Sequence, residues 1–362
     1  QWVTLPLAIH GVVAKKDGSV VQVNVGEDAE DPVFCVTDLL IHLANKQMEK
    51  NASAVVEGEA LDVLVGNRPM LTAEEMAGLK GEGSGEEDAV PASENSEDSK
   101  TDVEKLAEKE PVKACLLQLL AEKYGMEEED FLSAELEVVP AGRARECGFD
   151  RSMIIGYGQD DRVCAYPSLL AQLEADAPKR TSVCILVDKE EIGSVGASGM
   201  TSRFFENTMA EIMELAGEGG ELKLRRALAA SSMLSSDVSA GFDPAYAFAY
   251  EAKNAAYLGR GLVFNKYTGA RGKSGSNDAR AEYLAKVRAV MDGAHVNFQT
   301  CELGAVDAGG GGTIAYIPAE YGMDVIDSGV PVLSMHAPWE VTSKADIYEA
   351  YKGYKAFLEG ME

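Results

Sequence analysis

Apolar positions change their spacing about 144 residues into the chain. Before that point, two alternating runs, Val3–Val13 and Val20–Val25, flank a Lys-Asp-Gly triplet and predict a β-hairpin. From Gly81 to about Glu110 the chain is Gly, Ser, Glu and Asp with almost nothing to bury, which predicts a mobile acidic excursion. Pro111 then opens a helix with Val112, Cys115, Leu116, Leu119 and Leu120 on one face, closed by Gly125. Beyond residue 144 the pattern becomes apolar strand, polar loop, amphipathic helix, several times over. Ser202 is placed to cap a helix burying Phe205, Met209, Ile212 and Met213. Ser343 is placed to cap a last one burying Ile347, Ala350, Tyr351, Tyr354 and Leu358. Such alternation predicts an α/β class domain with a mostly parallel sheet covered on both faces, over residues 144–362, after a smaller β-rich domain over residues 1–143.

The chemistry lies where the apolar runs stop. Ser182–Val187 is short, apolar and rich in β-branched residues, so it reads as a buried strand. It leads directly into Asp188-Lys-Glu190-Glu191-Ile-Gly-Ser194. In open α/β sheets the reacting side chains gather at that end of a strand. Adjacent glutamates in a crevice repel each other unless a cation neutralises one, which leaves the other free to accept a proton. Three more apolar runs end the same way, one in Asp160-Asp161, one in Asp237 and one in His336. Carboxylates with an imidazole and no thiolate suit zinc, manganese or cobalt, and the set as a whole points to a metal-assisted hydrolase.

Charge narrows the partners. With 60 acidic residues against 33 Lys plus Arg, the formal net charge is -27. A field of that sign repels phosphate backbones and anionic lipid heads, so neither nucleic acid nor membrane is expected as a partner. The six cysteines contain no CxxC pair and mostly lie in apolar stretches, as expected in a reducing cytoplasm. No signal peptide is visible. The chain opens on Gln1-Trp2, so its true N-terminus is expected to lie upstream.

The strings GYGQDDR, DKEEIGS, SSDVS, KYTGARGKSGSNDA and VLSMH, which carry Asp160-Asp161, Glu190-Glu191, Asp237, Lys266 and His336, follow in one order across nearly the whole chain. In these the chain resembles the aspartyl aminopeptidase and aminopeptidase I family of cocatalytic zinc exopeptidases. The resemblance implies a phosphorylase/hydrolase-like catalytic domain, a β-rich dimerisation domain, and homo-oligomers that reach tetrahedral dodecamers. It also implies peptide substrates shortened from the amino end. By position it implies that Asp161 bridges two zinc ions, Glu191 and His336 complete the second site, and Asp237 belongs to the first. Glu190 would be the general base, moving a proton from the attacking water to the leaving amine.

The same resemblance places a further first-site histidine in a His-x-Asp segment upstream of the dimerisation domain, and no such segment occurs here; His10 reads as a strand residue. His42 falls where the family has a histidine reaching a neighbouring subunit's site, and Lys266 where substrate polar atoms could be held. The glycines 309–312 form a loop that backbone N–H groups could use for close approach to substrate. Ala240 replaces a histidine carried by members that prefer acidic residues. A glutamyl or deblocking-type aminopeptidase, and a non-catalytic assembly protein retaining the fold, are the alternatives.

Overall fold

The computed structural model describes residues 4–71, 102–270, 274–308 and 310–361. The chain divides into two compact units, Gln1–Arg143 and Ala144–Glu362.

In the first unit, β1 (Leu7–Ala14) and β2 (Val20–Val25) pair antiparallel through the expected hairpin. Asp17 fixes the turn by accepting hydrogen bonds from the Ser19 N–H at 2.8 Å and hydroxyl at 2.6 Å. Short strands β3 (Cys35–Val36) and β4 (Val63–Leu64) pair separately. The sheet order is β2-β1-β5, with β5 at Ala134–Pro140. Val13, Val23, Val25 and Met126 are its buried core. Helix α1 (Asp102–Lys109) occupies the end of the span predicted to be irregular, because Ala107 finds a buried place. The part of that span before residue 102 lies outside the described residues. Helix α2 (Pro111–Tyr124) starts on its proline and ends at Gly125 in the left-handed region, but Leu119 faces solvent where the pattern predicts burial.

The second unit holds β6 (Arg145–Cys147), β7 (Met153–Gly156), β8 (Ser232–Ser236), β9 (Ser239–Ala240), β10 (Leu262–Asn265), β11 (Tyr267–Ala270), β12 (Ser274–Asp278), β13 (Phe298–Thr300), β14 (Asp324–Gly329), β15 (Pro331–Leu333) and β16 (Glu340–Ser343). They form a four-stranded sheet, β13-β10-β14-β8, a five-stranded sheet, β6-β7-β16-β15-β9, and the β11-β12 hairpin. Helices α3 (Gln159–Glu174), α4 (Phe204–Leu215), α5 (Glu221–Ala229), α6 (Ala281–Gly293), the single turn α7 (Tyr316–Ala319) and α8 (Lys344–Gly360) accompany them. One core joins Leu262 and Phe264 of β10 and Ile326 of β14 to Tyr283, Val287 and Met291 of α6 and Tyr354 and Phe357 of α8. Each such side chain contributes about 1.5–3 kcal/mol by leaving water.

The sheets are mixed, where the sequence predicts a mostly parallel one. Parallel pairing joins β10 to β13, β14 to β8 and β15 to β9, while β15 and β16 turn back on each other through residues 334–339. A short return forces antiparallel pairing, since parallel neighbours need a crossover of a dozen or more residues.

Ser182–Val187 also departs from expectation. These residues are not a strand, and only Asp188, bridged to Gly199, makes a ladder contact. With Phe205, Met209, Leu228, Met233 and Leu234 they line a cavity of about 270 Å³ beside β8. β-Branched residues fit a pleated surface but cannot make a strand without a hydrogen-bonding neighbour. In α4, Phe205 is buried and Met209 and Met213 pack beside it, whereas Ile212 is exposed. The helix starts at Phe204, whose N–H reaches the Ser202 hydroxyl at 3.3 Å. Ser343 stands in extended backbone ahead of α8, as expected of an N-cap position, but its side chain makes no capping hydrogen bond.

Candidate metal centre

Four chain segments converge on one cavity of about 360 Å³ in the second unit, walled by Asp160, Glu190, Glu191, Asp237 and His336. The first segment follows β7. Gly158 takes a left-handed conformation there, and a Cβ on it would sit 2.4 Å from Arg162 Nη2. Arg162 uses that space to donate from Nε to Gly158 O and from Nη2 to Tyr157 O, both at 2.8 Å, so the turn delivers Asp160 in a fixed place. The second segment is the turn Glu190–Ile192, closed by Gly193 N–H to Glu190 O at 2.9 Å and Ser194 N–H to Lys189 O at 2.8 Å. Both bonds close the turn that sets Glu190 and Glu191 on the cavity wall.

Asp237 follows β8, its N–H held by Ser328 O at 3.0 Å. The approach depends on Gly329, where a Cβ would meet Asp237 O at 1.5 Å. His336 comes from the return between β15 and β16, with left-handed backbone at Ser334 and His336 itself.

His336 Nε2 lies 2.9 Å from Asp160 Oδ2 and 3.4 Å from Glu191 Oε1. One ligand atom from each of Asp160, Glu191 and His336 falls within 4.8 Å of the others, a span that one divalent cation can bridge. The sequence selects Asp161 at this place; the structure brings its neighbour Asp160 instead and sets Asp161 on the wall of the apolar cavity beside β8. Asp161 and Asp160 both remain close enough to Asp237 to raise its pKa.

The electrostatics describe a site short of positive charge. Burial first, then Glu191, pushes the Asp160 carboxyl up to about 7, with His336 opposing. Burial and the Glu191 charge also raise Asp161. Glu190 is raised by burial, then by Glu191 and Asp161. Asp237 is pushed well above the usual carboxylate range by burial and by Asp161, Asp160 and Glu190. No Lys or Arg lies among the described residues of the cavity wall. Carboxylates crowded with one imidazole and no cationic side chain form a donor set suited to a divalent metal ion.

The other expected residues lie elsewhere. Lys266 Nζ meets Asp278 Oδ1 at 2.5 Å, partly exposed, and is not on the cavity wall. His42, in the first unit, sits on the exposed turn Ile41–Leu43. His10, on β1, has Nε2 3.0 Å from Glu27 Oε1. Gly311 and Gly312 do line the cavity, next to Thr313. Two acidic residues escaped the sequence reading. Glu340 is buried at the start of β16 and Asp327 is buried within β14. Asp327 Oδ2 accepts from the Thr268 hydroxyl at 3.1 Å, and Thr268 Oγ1 lies 3.4 Å from Thr313 Oγ1. Burial pushes the Asp327 carboxyl up to about 6 against the lowering effect of the Thr313 and Thr268 hydroxyls. The available signal was a lone carboxylate inside an apolar run, as in Val325-Ile326-Asp327.

Residues 1–358 match the model of a family described as aminopeptidase I zinc metalloprotease (M18). A probable M18 family aminopeptidase 1 of Clostridium acetobutylicum is 58% identical over 358 residues, which cover 99% of this chain and 70% of that protein. The crystal structure of an M18-family aminopeptidase from Thermotoga maritima superposes with a TM-score of 0.86 at 42% identity, covering 99% of this chain and 72% of that one. The fold extends to the Saccharomyces cerevisiae mApe1 dodecamer, with a TM-score of 0.64 at 19% identity over 98% of this chain and 69% of that one.

Proposed function

The chain belongs to the aminopeptidase I zinc metalloprotease family, M18, and is a metalloaminopeptidase, and from that premise we propose how its residues divide the work. Asp160, Glu191 and His336 would hold one zinc ion, and Asp237, on the same cavity wall, would serve a second. Glu190 is the general base. Bound there, zinc would polarise the scissile carbonyl and acidify water. The Glu190 carboxylate takes a proton from the attacking water and hands it to the amine nitrogen as the peptide bond breaks, and proton transfer by a placed side chain contributes about 10²- to 10⁴-fold. Glu191, next in sequence, is a ligand and so cannot share that task.

The observation that carries this reading is the meeting of Asp160, Glu191 and His336 from three separate segments, with Glu190 on the same wall. The substrates are peptides with a free amino end. We further propose that the first unit is an association module and that the protein forms a cytoplasmic homo-oligomer, up to a tetrahedral dodecamer. The dodecameric mApe1 neighbour supports the assembly. No described helix is long and apolar enough to cross a membrane.

The function is tested with a panel of aminoacyl p-nitroanilides and their N-acetylated counterparts, before and after chelation and after zinc is restored. Release from free but not acetylated substrates, lost on chelation and regained with zinc, is expected. Equal release from acetylated substrates, or activity indifferent to chelation, would contradict it.

A further inference from the structure

We infer that Glu340, which contributes no atom to the metal cluster, is the positioning residue that locks the first turn of α3, which carries Asp160, and the β15–β16 return, which carries His336, in register. It rests on the metal-site assignment proposed above.

Glu340 opens β16, opposite Gly156 at the end of β7, and is 2% exposed. A carboxylate is seldom fully buried unless its lone pairs are occupied, and here they are. Oε2 accepts the N–H of Gln159 at 2.6 Å and of Asp160 at 3.0 Å, and Oε1 accepts the N–H of His336 at 2.9 Å. One side chain thus ties two segments more than 170 positions apart, each through the backbone of a metal-site residue or its immediate neighbour. The backbone O of Glu340 also accepts from Gln159 Nε2 at 2.5 Å, which secures the same junction a second way.

Neither the first turn of α3 nor the β15–β16 return belongs to a sheet at these residues, so ladder pairing does not fix the separation of Asp160 and His336. The carboxylate does, because its two oxygens are a fixed distance apart, one facing the start of α3 and the other the β15–β16 return. Bonds from N–H donors to an ionised acceptor are about twice as strong as neutral ones. An amide cannot replace it. Either orientation of a glutamine turns an NH₂ group toward N–H donors on one side, and that segment loses its anchor. Partners one step removed from a metal typically change its affinity by about 10- to 100-fold when replaced.

The test is titration of the metal-free protein with Co²⁺, read by the visible absorption of the bound ion, for the parent and for Glu340→Gln. Competition with a chromophoric chelator repeats the measurement for Zn²⁺. Glu340→Gln is expected to bind both ions about 10- to 100-fold more weakly while its far-ultraviolet circular dichroism stays that of the parent. Gln159→Leu, which removes the side-chain contacts to the backbone O atoms of Glu340 and Ile154 but leaves the carboxylate and its three N–H donors, is expected to stay within about threefold of the parent. Unchanged metal affinity in a folded Glu340→Gln, or equal losses in both variants, would overturn the inference. Should Glu340→Gln fail to fold, hydrogen exchange in the metal-free parent decides. The amides of Gln159, Asp160 and His336 are expected to be protected before any metal is added, and exchange at exposed-loop rates would overturn the inference. A parent that binds neither ion would instead refute the metal-site assignment.

Discussion

Replacing Asp327 by Asn should stabilise the protein at neutral pH, by an amount the buried carboxyl sets. In the unfolded chain this group titrates near 3.8; in the fold, burial pushes it up to about 6. Between those values the folded state binds more protons than the unfolded one, so stability falls as pH rises from about 4 to 6 and the loss persists above. At about 1.4 kcal/mol for each pH unit of separation, the ionised group costs on the order of 3 kcal/mol at pH 7.5, nearly half of it between pH 5 and 7.5. Asparagine has nearly the same shape, keeps an oxygen for the Thr268 hydroxyl and carries no charge, but sets an NH₂ group where Asp327 Oδ1 is buried without a hydrogen-bond partner. Lost charge-assisted bonding and the unpaired NH₂ group offset much of the gain, leaving about 0–2 kcal/mol at pH 7.5. Urea unfolding of both proteins at several values from pH 5 to 8, in chelator so that metal linkage is absent, measures the gap. A variant less stable than the parent at pH 7.5, or a gap that does not widen with pH, would refute the reasoning.

Glu190→Gln should lower kcat by about 10²- to 10⁴-fold and keep the bound zinc, whereas Glu191→Gln should lose zinc as well; retained turnover in the first or retained zinc in the second reverses the roles. Asp346 accepts the N–H groups of Gly259 and Gly261 at 2.7 and 2.6 Å from the first turn of α8. Asp346→Ala should therefore cost on the order of 3 kcal/mol by urea unfolding through two unpaired amides, with zinc content unchanged. Light scattering at low micromolar concentration should find a species well above the calculated 38.6 kDa, and a monomer would contradict the proposed assembly.

That Asp160, Asp237 and His336 meet at one cavity was legible because strands of an α/β domain deliver polar side chains just past their ends. Asp160, Asp237 and His336 follow β7, β8 and β15 in that way. The choice between Asp160 and Asp161 was not legible, since neighbouring carboxylates of identical chemistry differ only in the direction the turn gives them. Glu190 and Glu191 were found for a partly mistaken reason, because Ser182–Val187 has the composition of a strand without a sheet neighbour. Glu340 and Asp327 were missed because their roles come from partners far away in sequence: three backbone amides for one and the hydroxyls of Thr268 and Thr313 for the other. Mixed sheet polarity was hidden for a related reason. Apolar runs reveal strands, but the short return between β15 and β16 decides their direction.

Zinc per chain, measured by elemental analysis after exhaustive dialysis, bears most directly on the metal centre. The proposed set Asp160, Glu191 and His336 includes an imidazole, while among the described residues Asp237 belongs to no such group of three and has carboxylates beside it, which hold a transition metal more weakly. One tightly held zinc ion per chain is predicted for the parent and almost none for His336→Ala. A parent that retains no zinc, or a His336→Ala protein that retains as much as the parent, would contradict the account.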